Sequence, residues 1–182
     1  KGNSNVGGIA GYLTSTLSNS YQTNDVSGVS NIGGLVGYNK GEILESYVGA
    51  RVTGKSNVGA IVGFESGSTT KAYYDKTIIE YHEHDESEKP SSAFGNKNNT
   101  EDVFGYDKTY MKGLGILGVE ENQLNLSTDI WTEQDTSGLY DFYPQIKMFR
   151  NNLSTVVQKA SEASARTIRF ATGSGSKTDP YI

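Results

Sequence analysis

The chain's only two histidines, His82 and His84, stand beside Glu83, Asp85 and Glu86. On a strand, side chains two residues apart share a face, so this pair with a flanking carboxylate could hold a transition metal weakly. The competing reading is a hydrophilic loop with solvated histidines, and the neighbours favour it. Five acids fall between Glu80 and Glu88, followed by Pro90 and a polar stretch from Ser91 to Thr100. Zincin chemistry is not expected, because it needs two histidines one helical turn apart with the glutamate between them.

Gly113-Leu114-Gly115-Ile116-Leu117-Gly118 satisfies the G-x-G-x-x-G pattern literally. A dinucleotide loop must follow an apolar strand and open a helix, whereas the polar run Tyr106 to Lys112 precedes this one. Turns in a capping region account for the glycines better, and no cofactor is expected. A serine hydrolase would need a base, yet both histidines share one acidic loop and no Gly-x-Ser-x-Gly elbow occurs. Glycosidase or lyase chemistry on a β-helix would need carboxylates projecting together from neighbouring coils. Asp25, Glu42, Glu45, Arg51 and Glu65 form no such cluster in the sequence, and only folding can assemble one. There is no cysteine, which excludes disulfides, thiolate catalysis and cysteine-bound metal. No catalytic residue, and no enzyme activity in this segment, is expected.

Tyr21, Tyr47 and Tyr73 remain as ligand-binding candidates: facing solvent they would make a sugar-stacking platform, and facing inward an aromatic ladder supporting the core. Their strict spacing favours the ladder. Asn98-Asn99-Thr100, Asn125-Leu126-Ser127 and Asn152-Leu153-Ser154 fit the N-glycosylation pattern, a match expected to be incidental.

The elements that must position these residues are set by a repeat. Ser4 to Tyr12, Ser30 to Tyr38 and Ser56 to Phe64 align without a gap, and 32 − 6 and 58 − 32 both give a period of 26. The pairs Ser20-Tyr21, Ser46-Tyr47 and Ala72-Tyr73 keep the same register. A period in this range marks units that cannot bury an apolar face alone and must stack. The frequent glycine, scarce proline and Val/Ile/Leu/Tyr-rich apolar set suit short strands and turns. The expected fold is all-β: a β-solenoid of three 26-residue coils, then a small β-rich capping subdomain and a linker. Stacking would align Val6/Ile32/Val58, Ile9/Leu35/Ile61, Ala10/Val36/Val62, Tyr12/Tyr38/Phe64 and the three tyrosines into ladders about 4.8 Å apart.

The repeat resembles the GLUG motif, named for a Gly-Leu-any-Gly core that stands here as Gly34-Leu35-Val36-Gly37. Ile9 and Ile61 replace the leucine in the other copies, and Ala60 replaces a glycine. The resemblance covers about residues 1–80. It implies a segment of a large bacterial cell-surface protein, adhesin-like, or the non-catalytic region of an IgA-specific metallopeptidase. The Tyr73-Tyr74-Asp75 step, the Lys108 to Lys112 stretch and the run from Ile130-Trp131 to Tyr143-Pro144 are similar to segments that close such arrays. Gly173 to Ile182 is similar to the opening of another module.

A fourth repeat would place its strand near residue 84, inside the acidic run, so stacking is expected to stop after the third copy. The aromatics from Phe104 to Phe149 would then cover the last coil, whose open end otherwise exposes a strand edge. The expected division is therefore residues 1–80 for the repeats, 81–149 for the acidic loop and cap, and 150–182 for a linker and the start of a following module. The expected function is structural or adhesive: a rigid spacer or presentation segment, extracellular and attached to the cell surface or wall. A carbohydrate-binding or lyase-like β-helix is the third class. Expected partners are other modules of the same polypeptide and a host glycan or protein ligand. Nucleic acid is not expected, since 21 acids outnumber 16 bases and no basic stripe occurs. No apolar run reaches the ~20 residues of a membrane span.

Overall fold

The computed structural model describes residues 2–77, 92–112, 124–131 and 143–148. The acidic loop with His82 and His84, the Gly113 to Gly118 run and the segment from 150 onward lie outside them. The chain divides into a compact unit, Lys1–Ile146, and a second unit, Lys147–Ile182.

The first repeat contributes five short strands: β1 (Ser4–Gly7), β2 (Ala10–Leu13), β3 (Thr16–Ser18), β4 (Tyr21–Gln22) and β5 (Val26–Ser27). The second contributes β6 (Ser30–Gly33), β7 (Val36–Asn39), β8 (Glu42–Val48) and β9 (Val52–Thr53). The third contributes β10 (Ser56–Gly59), β11 (Val62–Glu65) and β12 (Ser68–Asp75). Strand β13 (Val103–Tyr106) and a short helix, α1 (Lys108–Lys112), follow. Strands of equal repeat phase pair in parallel to give sheets β1-β6-β10, β2-β7-β11, β3-β8-β12-β13 and β5-β9, with β4 also on β8. The register follows the repeat: Val6 faces Ile32, Ile32 faces Val58, and Tyr47 faces both Tyr21 and Tyr73. The fold is thus β-dominated with parallel sheets whose neighbouring strands come from successive repeats, β13 extending the third sheet beyond them.

Close backbone approach explains the glycine pattern. A Cβ on Gly33 would lie 2.1 Å from the Val36 carbonyl oxygen and 2.6 Å from the Gly63 nitrogen, and one on Gly37 would lie 2.3 Å from the Asn5 carbonyl carbon. Backbone atoms cannot yield as a flexible side chain can, so these two phases exclude larger residues. Beside them, Asn5, Asn31 and Asn57 share a left-handed conformation with φ between 51° and 54°. Asparagine tolerates that region better than most residues. A second left-handed phase holds Asn19, between β3 and β4, and Glu45 and Lys71, inside β8 and β12.

Three apolar clusters result. Leu35, Val36, Ile43, Val48, Ile61, Val62 and Ala72 fill the main core. Val26, Ile32, Val52 and Val58 form a second cluster, with Val6 packed against it. Tyr47, Tyr73, Met111, Leu124, Leu126 and Trp131 form a third.

The expected stop after the third repeat is corrected by the structure. Phe94 pairs in parallel with Val62, and the amides of Ala60 and Ile61 donate to the carbonyls of Ser92 and Ala93 at 3.0 and 2.9 Å. Strand β13 continues this layer along β12, with Val103 opposite Ala72 and Tyr106 opposite Asp75. Ala93 and Phe94 are buried in the main core, as Ile61 and Val62 are one layer earlier. The steps are 94 − 62 = 32 and 103 − 72 = 31 rather than 26, so the fourth layer departs from the fixed period although backbone hydrogen bonds still build it.

Candidate functional site

The phases that carry polar or aromatic side chains are where ligand chemistry would have to arise. At the asparagine phase the side chains bond to one another. Asn31 Nδ2 donates to Asn5 Oδ1 at 2.8 Å, and Asn57 Nδ2 donates to Asn31 Oδ1 at 2.7 Å.

The next polar phase holds Leu13, Asn39 and Glu65. Glu65 is buried, and its carboxylate accepts Asn39 Nδ2 at 3.1 and 3.2 Å, the Gly67 amide at 2.7 Å and Thr69 Oγ1 at 2.5 Å. Asn39 Oδ1 accepts the Gly41 amide at 2.9 Å, so each of these side chains closes the turn that follows it. Burying a carboxylate is tolerable when its lone pairs are filled in this way.

The other carboxylates serve similar ends. Glu45 pairs with Lys71 at 3.4 Å and accepts the Ser127 amide at 3.4 Å. Asp75 is buried and accepts the Tyr143 hydroxyl at 2.7 Å and the Thr77 amide at 2.9 Å. Asp25 and Arg51 occupy one repeat phase, and the Arg51 backbone amide donates to Asp25 Oδ1 at 3.3 Å. Among the described residues no group of three or more His, Cys, Asp or Glu side chains is placed to hold a metal ion.

The two aromatic ladders differ in what covers them. Tyr21 and Tyr47 stack at 5.4 Å, and Tyr73 continues the line. Tyr47 and Tyr73 lie in an apolar cluster of their own with Leu124, Leu126 and Trp131, and half-buried Tyr21 and Tyr143 pack against it. Tyr47 is 0% exposed and Tyr73 2% exposed, which removes their ring faces from any sugar.

The covering segment is pinned by hydrogen bonds. The Tyr47 hydroxyl donates to the Pro144 carbonyl at 2.7 Å, the Asn125 amide donates to the Tyr73 hydroxyl at 2.8 Å, and Trp131 Nε1 donates to Asn19 Oδ1 at 3.3 Å. Burial raises the Tyr47 hydroxyl pKa well above the usual phenol range and pushes that of Tyr73 up to about 12.

Tyr12, Tyr38 and Phe64 form the second ladder, with ring centroids 5.1 and 4.9 Å apart and planes within 20° of parallel. No segment among the described residues covers it as Leu124–Trp131 covers the tyrosines. Tyr12 is 49% exposed, and Lys40 Nζ lies 5.9 Å from the Tyr38 ring centre. A hydrogen bond with the Tyr12 hydroxyl favours the charged ammonium and raises the Lys40 pKa. This strip of rings, exposed at Tyr12, half-buried at Tyr38 and Phe64 and edged by a cation, is the surface best suited to contact a ligand. The sequence shows that both aromatic phases form ladders, but nothing in it says which of the two is left uncovered.

No protein-family model, curated protein or solved structure matches this chain.

Proposed function

We propose that this segment is a non-catalytic structural module, a rigid spacer or presentation segment of a bacterial cell-surface protein. In this reading the parallel layers constitute a β-solenoid of three 26-residue coils, followed by the longer fourth layer and a small cap over the tyrosine face. The resemblance to the GLUG motif supports an extracellular location and an adhesin-like parent. An IgA-type metallopeptidase parent would leave the role of this segment unchanged.

One observation carries the proposal: the repeated side chains bond to their counterparts in the next layer. The asparagines, both aromatic ladders and the Asn39–Glu65 pair all run from layer to layer. A scaffold arranged in this way resists shear between layers, because separating them breaks many contacts together.

Single-molecule pulling tests it. A spacer should resist force and then release residues 2–146 in large cooperative steps, adding up to about 500 Å of contour length at ~3.5 Å per residue. Gradual extension at low force, without steps, would refute it.

The partly exposed Tyr12–Tyr38–Phe64 ladder with Lys40 favours a second reading, carbohydrate binding, in which a glycan lies along the ring edges. Binding on a glycan array that is lost in Tyr12→Ala and Tyr38→Ala variants would support it.

A further inference from the structure

Layer-to-layer burial is uneven at one end of the stack. Leu35 and Ile61 are 0% exposed, whereas Ile9, at the same repeat phase, is 44% exposed. Gly11 is exposed where Gly37 and Gly63 are buried, and Val6 is half-buried where Ile32 and Val58 are buried. The cause is positional: among the described residues β1, β2 and β3 each have a strand partner on one side only, at the edges of their sheets. Asn5 shows the same asymmetry. Each lower asparagine donates Nδ2 to the one above, while Asn5 accepts and has no acceptor for its own Nδ2 among the described residues. At the opposite end, by contrast, Ala93 and Phe94 are 0% and 2% exposed.

We infer that the free edge of the first repeat is a docking surface for one further 26-residue segment of the same repeat type, laid on it in parallel register. The inference rests on the solenoid reading. What fits such an edge is shown twice within the chain, where the second repeat seats on the third and the first on the second.

The occupant is therefore specified phase by phase. It needs a carbonyl acceptor, asparagine for preference, above Asn5, and a glycine opposite Gly7, where a Cβ would meet the Ile9 carbonyl and Gly11 amide as one on Gly7 would meet those of Leu35 and Gly37. It also needs a β-branched residue above Val6, an aliphatic residue above Ile9 and an aromatic ring above Tyr12. The last would extend the ring ladder at the ~5 Å spacing that strand stacking imposes. A flat ligand or an unrelated strand would leave Asn5 Nδ2 and the Ile9 side chain without matched contacts.

The test is an insertion. A second copy of Ser30 to Lys55, 26 residues long, is placed between Asn3 and Ser4 of the full chain, and a scrambled copy of the same residues serves as control. The native-order insertion should slow amide exchange across β1 and β2 at least tenfold and raise the melting temperature, while the scrambled copy does neither. Unchanged exchange in β1 and β2, or an insertion variant less stable than the parent, would overturn the inference. So would a dimer of the parent chain in light scattering that buries this edge, since the occupant would then be a second copy. Exchange at Ile32 and Val58 in the unmodified chain separates the two proposals. If it is slow while the insertion has no effect, docking fails alone; if it is fast, the stacked-coil reading fails with it.

Discussion

Replacing Asn31 separates the two things its phase does, which are to adopt a left-handed backbone and to carry hydrogen bonds between layers. At φ 54° it donates to Asn5 at 2.8 Å and accepts from Asn57 at 2.7 Å. Asn31→Gly keeps the backbone comfortable but removes both bonds, at about 1 kcal/mol each, and so should cost about 2 kcal/mol. Asn31→Ala removes the same bonds and also places a Cβ residue without local polar compensation in the left-handed region, adding about 1–2 kcal/mol. The expected order is thus parent, then glycine, then alanine, with alanine about 3–4 kcal/mol below the parent. Asn5→Ala, which loses one bond at the open end, should cost at least ~1 kcal/mol less than Asn31→Ala. Urea unfolding followed by far-ultraviolet circular dichroism measures each value, provided the slope stays constant across the series. Equal stability of the alanine and glycine variants would mean that the backbone at residue 31 is not left-handed. Equal cost at Asn5 and Asn31 would mean that the side chains do not form a continuous line.

Glu65→Ala should destabilise the domain by about 3–5 kcal/mol, because Asn39 Nδ2, Thr69 Oγ1 and the Gly67 amide lose a charged acceptor together, and Glu65→Gln should cost less than half as much; a near-neutral alanine variant in chemical denaturation would show that the carboxylate is solvated. Burial holds Tyr47 and Tyr73 protonated in the folded state, the latter to about pH 12, while in the unfolded chain both ionise near pH 10. Stability should therefore be flat below about pH 9 and then fall by about 1.4 kcal/mol per pH unit for each tyrosine between about pH 10 and 12. A pH titration of the unfolding midpoint with no alkaline decline beyond that of a Tyr47→Phe, Tyr73→Phe double variant would refute the buried placement. Trp131 is the chain's one tryptophan and is fully buried, so its fluorescence emission should be blue-shifted and should move red in Tyr47→Ala. Trp131→Ala should cost about 3–5 kcal/mol as a large-to-small core change, and exposed-type emission in the parent chain would remove the covering layer.

The 26-residue register was legible because strand stacking imposes identity of type at each phase. Gly33 and Gly37 sit where neighbouring backbones leave no room for a Cβ, and Leu35 and Ile61 sit where only an apolar group can face the core. Such constraints act on each position separately, and so they are written into the sequence one residue at a time. The left-handed phase of Asn5, Asn31 and Asn57 was legible in principle for the same reason, since asparagine suits it. Glu45 and Lys71 at the other left-handed phase give no such sign, because their types do not favour that conformation and the surrounding strands impose it.

The fourth layer and the fate of the two aromatic ladders were decided only by tertiary structure. Phe94 and Val103 reach their places after steps of 32 and 31 residues, and a layer needs only strand hydrogen bonds and an apolar side chain, not a constant length of connection. Tyr21, Tyr47 and Tyr73 repeat as strictly as Tyr12, Tyr38 and Phe64, yet the first set is buried at Tyr47 and Tyr73 while the second is buried nowhere and exposed at Tyr12. The difference lies in Leu124 to Trp131 and Tyr143 to Ile146, which pack on the first set from far along the chain. The sequence by itself determined the period, the strands and the close-packed glycines, because each follows from local sterics repeated at a fixed interval. Which ring surface faces water depends on where a distant, non-repeating segment comes to rest, and that is settled by the sum of its contacts rather than by the type of any residue beneath it.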